Sequence, residues 1–563
     1  MPNPYRLAIN MAGAVSAGAY TAGVLDFLIE ALDCWESAKA AGEPVPRHSV
    51  SIEILSGASA GAMCSALGAV SLFDPPNPCP GLGNPWRNPT RMYRSWVNEI
   101  DIGDLIATDD LVDNTISSLL NSNTLDRIAD TTLTAPTPLT ERPYVSPTLN
   151  LLMTLTNLRG VPYSVDFADL GSFEEHSNYF ADQMQFRLAT GTVTAAPPLD
   201  CVVDLTNSSD PGWTVLRNTA KASGAVPAML RPRILQRTAA AYENRQWTVS
   251  ADPDTCSTGA CEETTTIPPA WQLPPAPPPV TFDNVYVDGG ITNNNPFECA
   301  RRYLAAISGA QHNERDPLKA AASVLTIAPF PGNDTFNLSW DASAHATLFG
   351  SLPMLLDVLL GQSRFLGESL SLLRSSSASR YVVAPSDPSA ASGKPALQGG
   401  ALGAFGGFFS KGFRDHDYHL GRYNCQRFLQ HWFVLPCENP LIAEGLPLAQ
   451  RSQLLDAFRV VDASSDPPRQ GLPTQAWMPL IPLCGRLSQA LPLPPPQAMK
   501  QNDLDMVLDG VFNRLTEVLK IILRPHLPLS ALTTGVVAKA VVKSMRSSNV
   551  AAIEANLRDS RCL

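Results

Sequence analysis

The chain has 563 residues, 44% of them hydrophobic and 17% charged, which is the balance of a folded globular protein rather than a disordered one. A formal net charge of −11 weighs against nucleic acid as a partner and against attraction of the whole molecule to anionic membranes. The eleven cysteines are scattered with no paired C-x-x-C spacing, and no run of about 18 uninterrupted apolar residues marks a spanning helix, so neither a zinc site nor a membrane span is expected.

Met1 to Asn10 lack the charged start and long apolar run of a secretory signal, so a cytoplasmic location is expected. Cys256 and Cys261 flank a polar loop and could bridge under oxidation, but free thiols are the expectation there. The 50 prolines cluster, which implies long, stiff connections.

Arg6 to Met11 reads as a first strand. A run of small residues, Ala12 to Gly18, leads into a helix over Ala19–Ala38, with Val24, Leu25, Leu28 and Leu32 at helical spacing. Such a loop presents backbone N–H groups at a helix start, which suits an anion or oxyanion; a plain tight turn is the alternative. Val50 to Leu55 is a second strand. It runs into Gly57-x-Ser59-x-Gly61, and a small-residue helix from Ala60 to about Leu72 follows. Strand, sharp turn and helix form the setting of a nucleophile elbow, where Ser59 projects from the strand end and Gly57 and Gly61 keep Cβ atoms out of a crowded turn. Ser16, in Ala14-x-Ser16-x-Gly18, is a poorer elbow because the leading glycine is missing.

Asp74 to about Thr148, proline-rich at both ends, reads as an insertion or cap, with Trp96, Ile102, Leu105, Ile106, Leu119 and Leu120 as buried points. Two strands are expected over Leu149–Asn157 and Pro162–Phe167, with a turn between them. Short strands follow at Met184–Leu188 and Cys201–Leu205, then a helix at Trp213–Ser223 and an exposed Thr/Pro loop at Cys256–Pro279. Val285 to Asp288 is a strand that delivers an aspartate into Gly289-Gly290, and Pro296–Ser308 is helical. With a strand at Ala322–Ile327, the order implies an α/β fold whose mostly parallel sheet is covered on both faces, with reactive residues at the strand C-terminal ends.

Strands become rare after Thr335. Ser351–Leu373 is a Leu-rich helical candidate. Asp503–Leu523 is amphipathic through Met506, Val507, Val511, Leu515, Val518, Leu519 and Ile522. Lys520, Arg524, Lys539, Lys543 and Arg546 make this end locally basic, which leaves peripheral membrane contact open, although packing on the core is favoured. Arg414-Asp415-His416-Asp417-Tyr418-His419 reads as a structural hydrogen-bonding cluster rather than a metal site.

Three stretches in this order resemble the patatin-like phospholipases: the Gly13-to-Gly18 loop with its helix, the Gly57–Gly61 elbow, and Asp288-Gly289-Gly290 continued by Asn294-Asn295-Pro296. Ala222-Ser223 through Pro227 is similar to a family loop beside the site, and the Met153-to-Phe167 hairpin to a family strand pair. The resemblance covers roughly the first 330 residues. It implies a three-layer α/β/α catalytic domain over 1–334, with the cap at about 74–148, and leaves 335–563 as a mainly helical C-terminal region. It also implies a lipid acyl hydrolase in which Ser59 is the nucleophile and Asp288 its base, without histidine, metal or cofactor. Gly13 and Ala14 would supply the oxyanion hole, and Gly57, Gly61, Gly289 and Gly290 support the motifs. The implied partner is an acyl lipid; oligomeric state is left open. The family loop usually has consecutive glycines and a basic residue, and here Ala14, Val15 and Ala17 stand instead. A positive φ would strain Val15. Three rivals follow from the residues. One is a Ser-Asp-His hydrolase using His416 or His419. Another is a catalytically weak lipid-binding or scaffold protein. The third is an acyltransferase.

Overall fold

A computed structural model describes residues 3–112, 115–167, 173–191, 193, 199–250, 262–271, 280–310, 313–330, 358, 361–363, 379–391, 394–460, 476–524 and 531–563. The chain begins β1 (Tyr5–Met11), α1 (Gly18–Ala40), β2 (Val50–Gly57), α2 (Ala60–Ser71). The remaining strands are β3 (Val145–Phe167), β4 (Phe173–Ala189), β5 (Cys201–Asp204), β6 (Arg233–Thr238), β7 (Gln246–Ser250), β8 (Glu262–Thr266), β9 (Thr281–Asp288), β10 (Ala322–Ile327) and β11 (Arg380–Val383), with two three-residue strands at Val434–Pro436 and Trp477–Pro479. Nine strands form one mixed sheet in the order β11-β10-β1-β2-β3-β4-β5, with β9 pairing β3 and β6. The β11-β10-β1-β2-β3 run is parallel throughout, and helices cover the sheet. The α/β fold with a mostly parallel sheet is therefore present, and the C-terminal region is largely helical.

β1 and β2 are buried on both faces, which is why their sequences run apolar instead of alternating. Helix Phe297–Ile307 packs on one side, on Ala8, Ile54 and Val324. α1 and α2 lie in the main core on the other. The only described stretch long and apolar enough to cross a membrane is Val15–Ala40, and 89% of its apolar window is buried inside the protein. Its outer side is covered by helix Lys411–His431, and the contact is backbone on backbone. A Cβ on Gly23 would lie 1.9 Å from the Tyr418 carbonyl oxygen, and one on Gly421 would lie 2.3 Å from that of Tyr20.

Several details differ from the expectations. Leu149–Phe167 is not a hairpin but part of one long strand. The residues around Gly160 (φ +73) make an irregularity between Thr156 and Val161 rather than a reversal, and the partner is β4. Glu262–Thr266, expected in an exposed loop, pairs with β7. β11 lies beyond residue 334 yet extends the sheet, so the expected domain boundary falls between two hydrogen-bonded strands. In helix Gln501–Leu523 the buried positions are Leu504, Leu508, Arg514, Thr516 and Val518, whereas Met506 and Ile522 are exposed. Arg514 turns that face inward because its guanidinium forms a two-point contact with Asp110 (2.7 and 2.9 Å) and also meets the Leu119 carbonyl. Most of Ser351–Leu373, and both Cys256 and Cys261, lie outside the described residues.

Candidate active site

At the end of β2 the chain turns so tightly that Ser59 sits at φ 54°, ψ −128°, a strained conformation for a residue with a side chain. Two glycines make the turn feasible. A Cβ on Gly57 would lie 2.3 Å from the Gly61 carbonyl oxygen, and one on Gly61 would lie 2.1 Å from that of Met11. Ser59 is buried, and its N–H donates to the Ser223 hydroxyl at 3.0 Å.

Asp288 ends β9, two residues after Tyr286, and is also buried. Its carboxylate is held on both oxygens. Oδ2 accepts from the Ser59 hydroxyl at 2.6 Å, and Oδ1 accepts from the Gly290 N–H at 2.7 Å. Its backbone is fixed as well: the N–H donates to Ala225 (2.9 Å) and the carbonyl accepts from the Thr156 hydroxyl (2.8 Å). Burial pushes the Asp288 carboxyl up to about 7, against the opposing pull of the Ser59 and Gly290 hydrogen bonds. A carboxylate poised near neutral pH and in hydrogen-bond contact with a serine is chemically suited to take that serine's proton. Gly289 and Gly290 leave the space this turn needs, since a Cβ on Gly289 would lie 2.2 Å from the Thr154 carbonyl oxygen.

The small-residue loop reaches the same place. Gly13 lies against Ser59 and Asn294: a Cβ there would be 3.2 Å from Ser59 Cβ and 1.9 Å from Asn294 Oδ1. Its N–H does not stand open as the expected oxyanion donor, because it donates to the Asn294 carbonyl at 3.0 Å. Ala14 precedes a short helical turn, Val15–Ala17. Val15 does adopt the left-handed conformation, at φ 47°, which strains a β-branched residue. Ser16 is buried, and its hydroxyl donates to the Ala404 carbonyl (2.6 Å) and accepts from the Gly407 N–H (3.0 Å), so its place is structural.

Beside Ser59 opens a narrow apolar cavity of about 80 Å³. It is lined by Val15 and Met63, by Trp96, Ile100, Leu105, Leu120, Leu125 and Ile128 of the 74–148 excursion, by Val226 and Leu230, and by Phe405 and Phe408. The excursion is therefore a roof over the cavity. Trp96 sits in a π-helical turn, Arg94–Asn98, and its ring lies where a side chain on Gly18 would go. At about 80 Å³ the cavity is well below the usual size of a ligand pocket.

The Arg414-to-His419 cluster sits on helix Lys411–His431. His416 Nδ1 pairs with Asp417 (2.9 Å), and Asp417 accepts the N–H groups of Gln398 (2.9 Å) and Gly399 (2.7 Å). Asp415 accepts from the Tyr93 hydroxyl. Burial drives His419 down to about 4. The Ser59 hydroxyl donates to Asp288 and not to a histidine.

A model of the family described as patatin-like phospholipase matches residues 10–301, which takes in the loop, the elbow and Asp288. The chain belongs to the patatin-like phospholipases. This is a family of lipid acyl hydrolases. The chain is also 33% identical over 554 residues, covering 91% of its own length and 75% of the other, to an uncharacterized protein, y4iI, of Sinorhizobium fredii. That likeness extends well past the family match and into the C-terminal region.

Two contributions to the site were not read from the sequence. Phe405 and Phe408 come from a segment with no motif, and Asn10 has no signal in a strand. Asn10 donates to Asn295 Oδ1 at 2.5 Å and accepts from Ser56 at 3.0 Å, tying the strand ends beneath the site to the turn after Asp288.

Proposed function

We propose that the protein hydrolyses carboxylic esters of phospholipids or related acyl lipids through a Ser59–Asp288 dyad and an acyl-enzyme. The observation that carries this is the 2.6 Å hydrogen bond from a strained, buried serine to a buried carboxylate poised near pH 7. Asp288 takes the Ser59 proton as Oγ attacks the ester carbonyl. The new oxyanion is held by backbone N–H groups of the Gly13–Val15 loop. Ala14 is the first candidate because its N–H has no partner among the described residues, and Gly13 joins only if Asn294 yields its bond. The intermediate collapses, Asp288 returns the proton to the departing alcohol oxygen, and the acyl group stays on Ser59. A water deprotonated by Asp288 then releases the fatty acid and regenerates the serine. The acyl chain occupies the apolar cavity, which must widen to admit it. In this reading residues 1–334 supply the chemistry and 335–563 complete the wall. No metal or cofactor enters the scheme.

The test is fatty acid release from mixed phospholipid and neutral-lipid vesicles by wild type and Ser59→Ala. Release by the wild type that falls at least a thousandfold in the variant is expected. Equal release by both proteins, or none by a folded wild type, would overturn the assignment.

A further inference from the structure

The family match ends at residue 301, yet the cavity beside Ser59 is lined in part by side chains a hundred residues further on. Phe405 and Phe408, an edge-to-face pair with ring centroids 5.9 Å apart, both line it. The segment that carries them is built into the site by three separate devices.

The first is conformational. Leu402, Gly403 and Ala404 are all left-handed, at φ 54°, 64° and 75°. Two of these residues carry side chains that the left-handed region strains, so the surroundings must hold them. The second device is the oxyanion loop itself. Ser16 fills the space over Gly407 and bonds both Ala404 and Gly407, the residues immediately before Phe405 and Phe408. The third is a pair of clamps from helix Lys411–His431. Asp417 accepts the Gln398 and Gly399 N–H groups. Arg414, itself buried, donates to the carbonyls of Gly407 (2.8 Å), Val97 (3.2 Å) and Ile100. Arg414 thus bolts the phenylalanine segment to the π-helical turn that carries Trp96. Wall, roof and oxyanion loop form one hydrogen-bonded unit.

From this we infer that Phe405 and Phe408 are specificity-determining residues that set the length of the acyl chain. The inference rests on the acyl-hydrolase reading above. A chain attached at Ser59 extends into the cavity and packs against its walls, of which Phe405 and Phe408 are part. Both rings are only half-buried, so shortening them opens space at the wall without emptying the core. A single methylene at such a wall discriminates by roughly 10–200-fold, which is ample to give a sharp chain-length profile.

The experiment measures kcat/KM for a series of p-nitrophenyl acyl esters from four to sixteen carbons, with full-length wild type, Phe405→Ala, Phe408→Ala and Ser59→Ala. Ser59-dependent hydrolysis by the wild type, with an optimum that moves to longer chains in either phenylalanine variant, is expected. The rate ratio of long to short esters should rise at least tenfold. Phe408→Leu, which keeps an apolar side chain at the wall, should move the optimum the same way by less, and it serves if an alanine variant fails to fold. Ser59-dependent hydrolysis with an unchanged profile in Phe405→Ala, Phe408→Ala and Phe408→Leu overturns the inference and leaves the hydrolase reading intact. No Ser59-dependent hydrolysis of any ester overturns both.

Discussion

Asp288→Asn is expected to lower kcat by about 10³–10⁴-fold while raising the stability of the protein at pH 8. The loss of rate follows from the chemistry. An amide cannot accept the Ser59 proton, and general-base removal is worth about 10²–10⁴ by itself. Here Asp288 would serve in both acylation and deacylation, so the upper part of that range applies. The gain in stability follows from burial. The Asp288 carboxyl is raised from 3.8 to about 7, chiefly by desolvation. Below about pH 4 the folded and unfolded chains both hold the proton, and nothing is lost. As pH rises towards 7 the unfolded chain releases its proton and the folded chain does not. Folded stability therefore falls through that window by about 1.4 kcal/mol per unit, or about 4 kcal/mol in all. Asparagine does not ionise, and it keeps an oxygen for the Gly290 N–H. The wild-type pH–rate profile should rise tenfold per unit below pH 7 and level above it. Urea unfolding of both proteins at pH 5 and pH 8, with kcat/KM across the same range, checks both halves. A variant that is slower but no more stable at pH 8 would mean that Asp288 is not a base destabilised by burial.

Arg237→Ala is expected to destabilise the fold by about 3–5 kcal/mol. Arg237 is buried on β6, 3.3 Å from Asp200 and 3.7 Å from Asp182. Asp182 also accepts the hydroxyls of Tyr242 (2.9 Å) and Tyr286 (3.0 Å) and pairs with Arg245. Burial works to raise the Asp182 carboxyl, but Arg237 and Arg245 overcome it and hold the group low, so both acids depend on the guanidinium. Removing it leaves Asp200 with the Gln185 N–H and only the weaker pull of Arg245 to offset its burial. The network clamps β9 to β4 two residues before Asp288, so the same change should also weaken catalysis. Arg237→Lys keeps a charge and should lose less. Chemical unfolding measures the difference, and a loss below about 1 kcal/mol for the alanine variant would show that the acids find other partners.

The parts of the site that were legible in the sequence are those whose geometry is local. Ser59 needs a turn that only glycines at 57 and 61 allow, and Asp288 needs the two glycines after it, so a few adjacent residues declare the conformation. The parts that were not legible depend on contacts across the chain. Ser16 looked like an inferior elbow for want of a leading glycine, and its structural role was hidden because its partners, Ala404 and Gly407, lie almost 400 positions away. Phe405 and Phe408 follow no periodicity, and their value comes from where a strained turn puts them. Gly160 read as a reversal because a glycine between two apolar runs marks a turn and a bulge alike. The face of Gln501–Leu523 was misjudged because a buried arginine, not an apolar residue, fixes which side faces in. The Arg414-to-His419 cluster was read as structural, and it joins helix, roof and wall by hydrogen bonds.

The central claim is that an acyl group passes through Ser59. The most direct measurement is mass spectrometry of protein quenched during turnover of a slowly hydrolysed ester, followed by peptide mapping. An adduct of the acyl mass on the peptide containing Ser59, absent from Ser59→Ala and accumulating in Asp288→Asn if that variant still acylates, is the expected result. Fatty acid release with no adduct on Ser59, or an adduct on another residue that survives Ser59→Ala, would contradict the account.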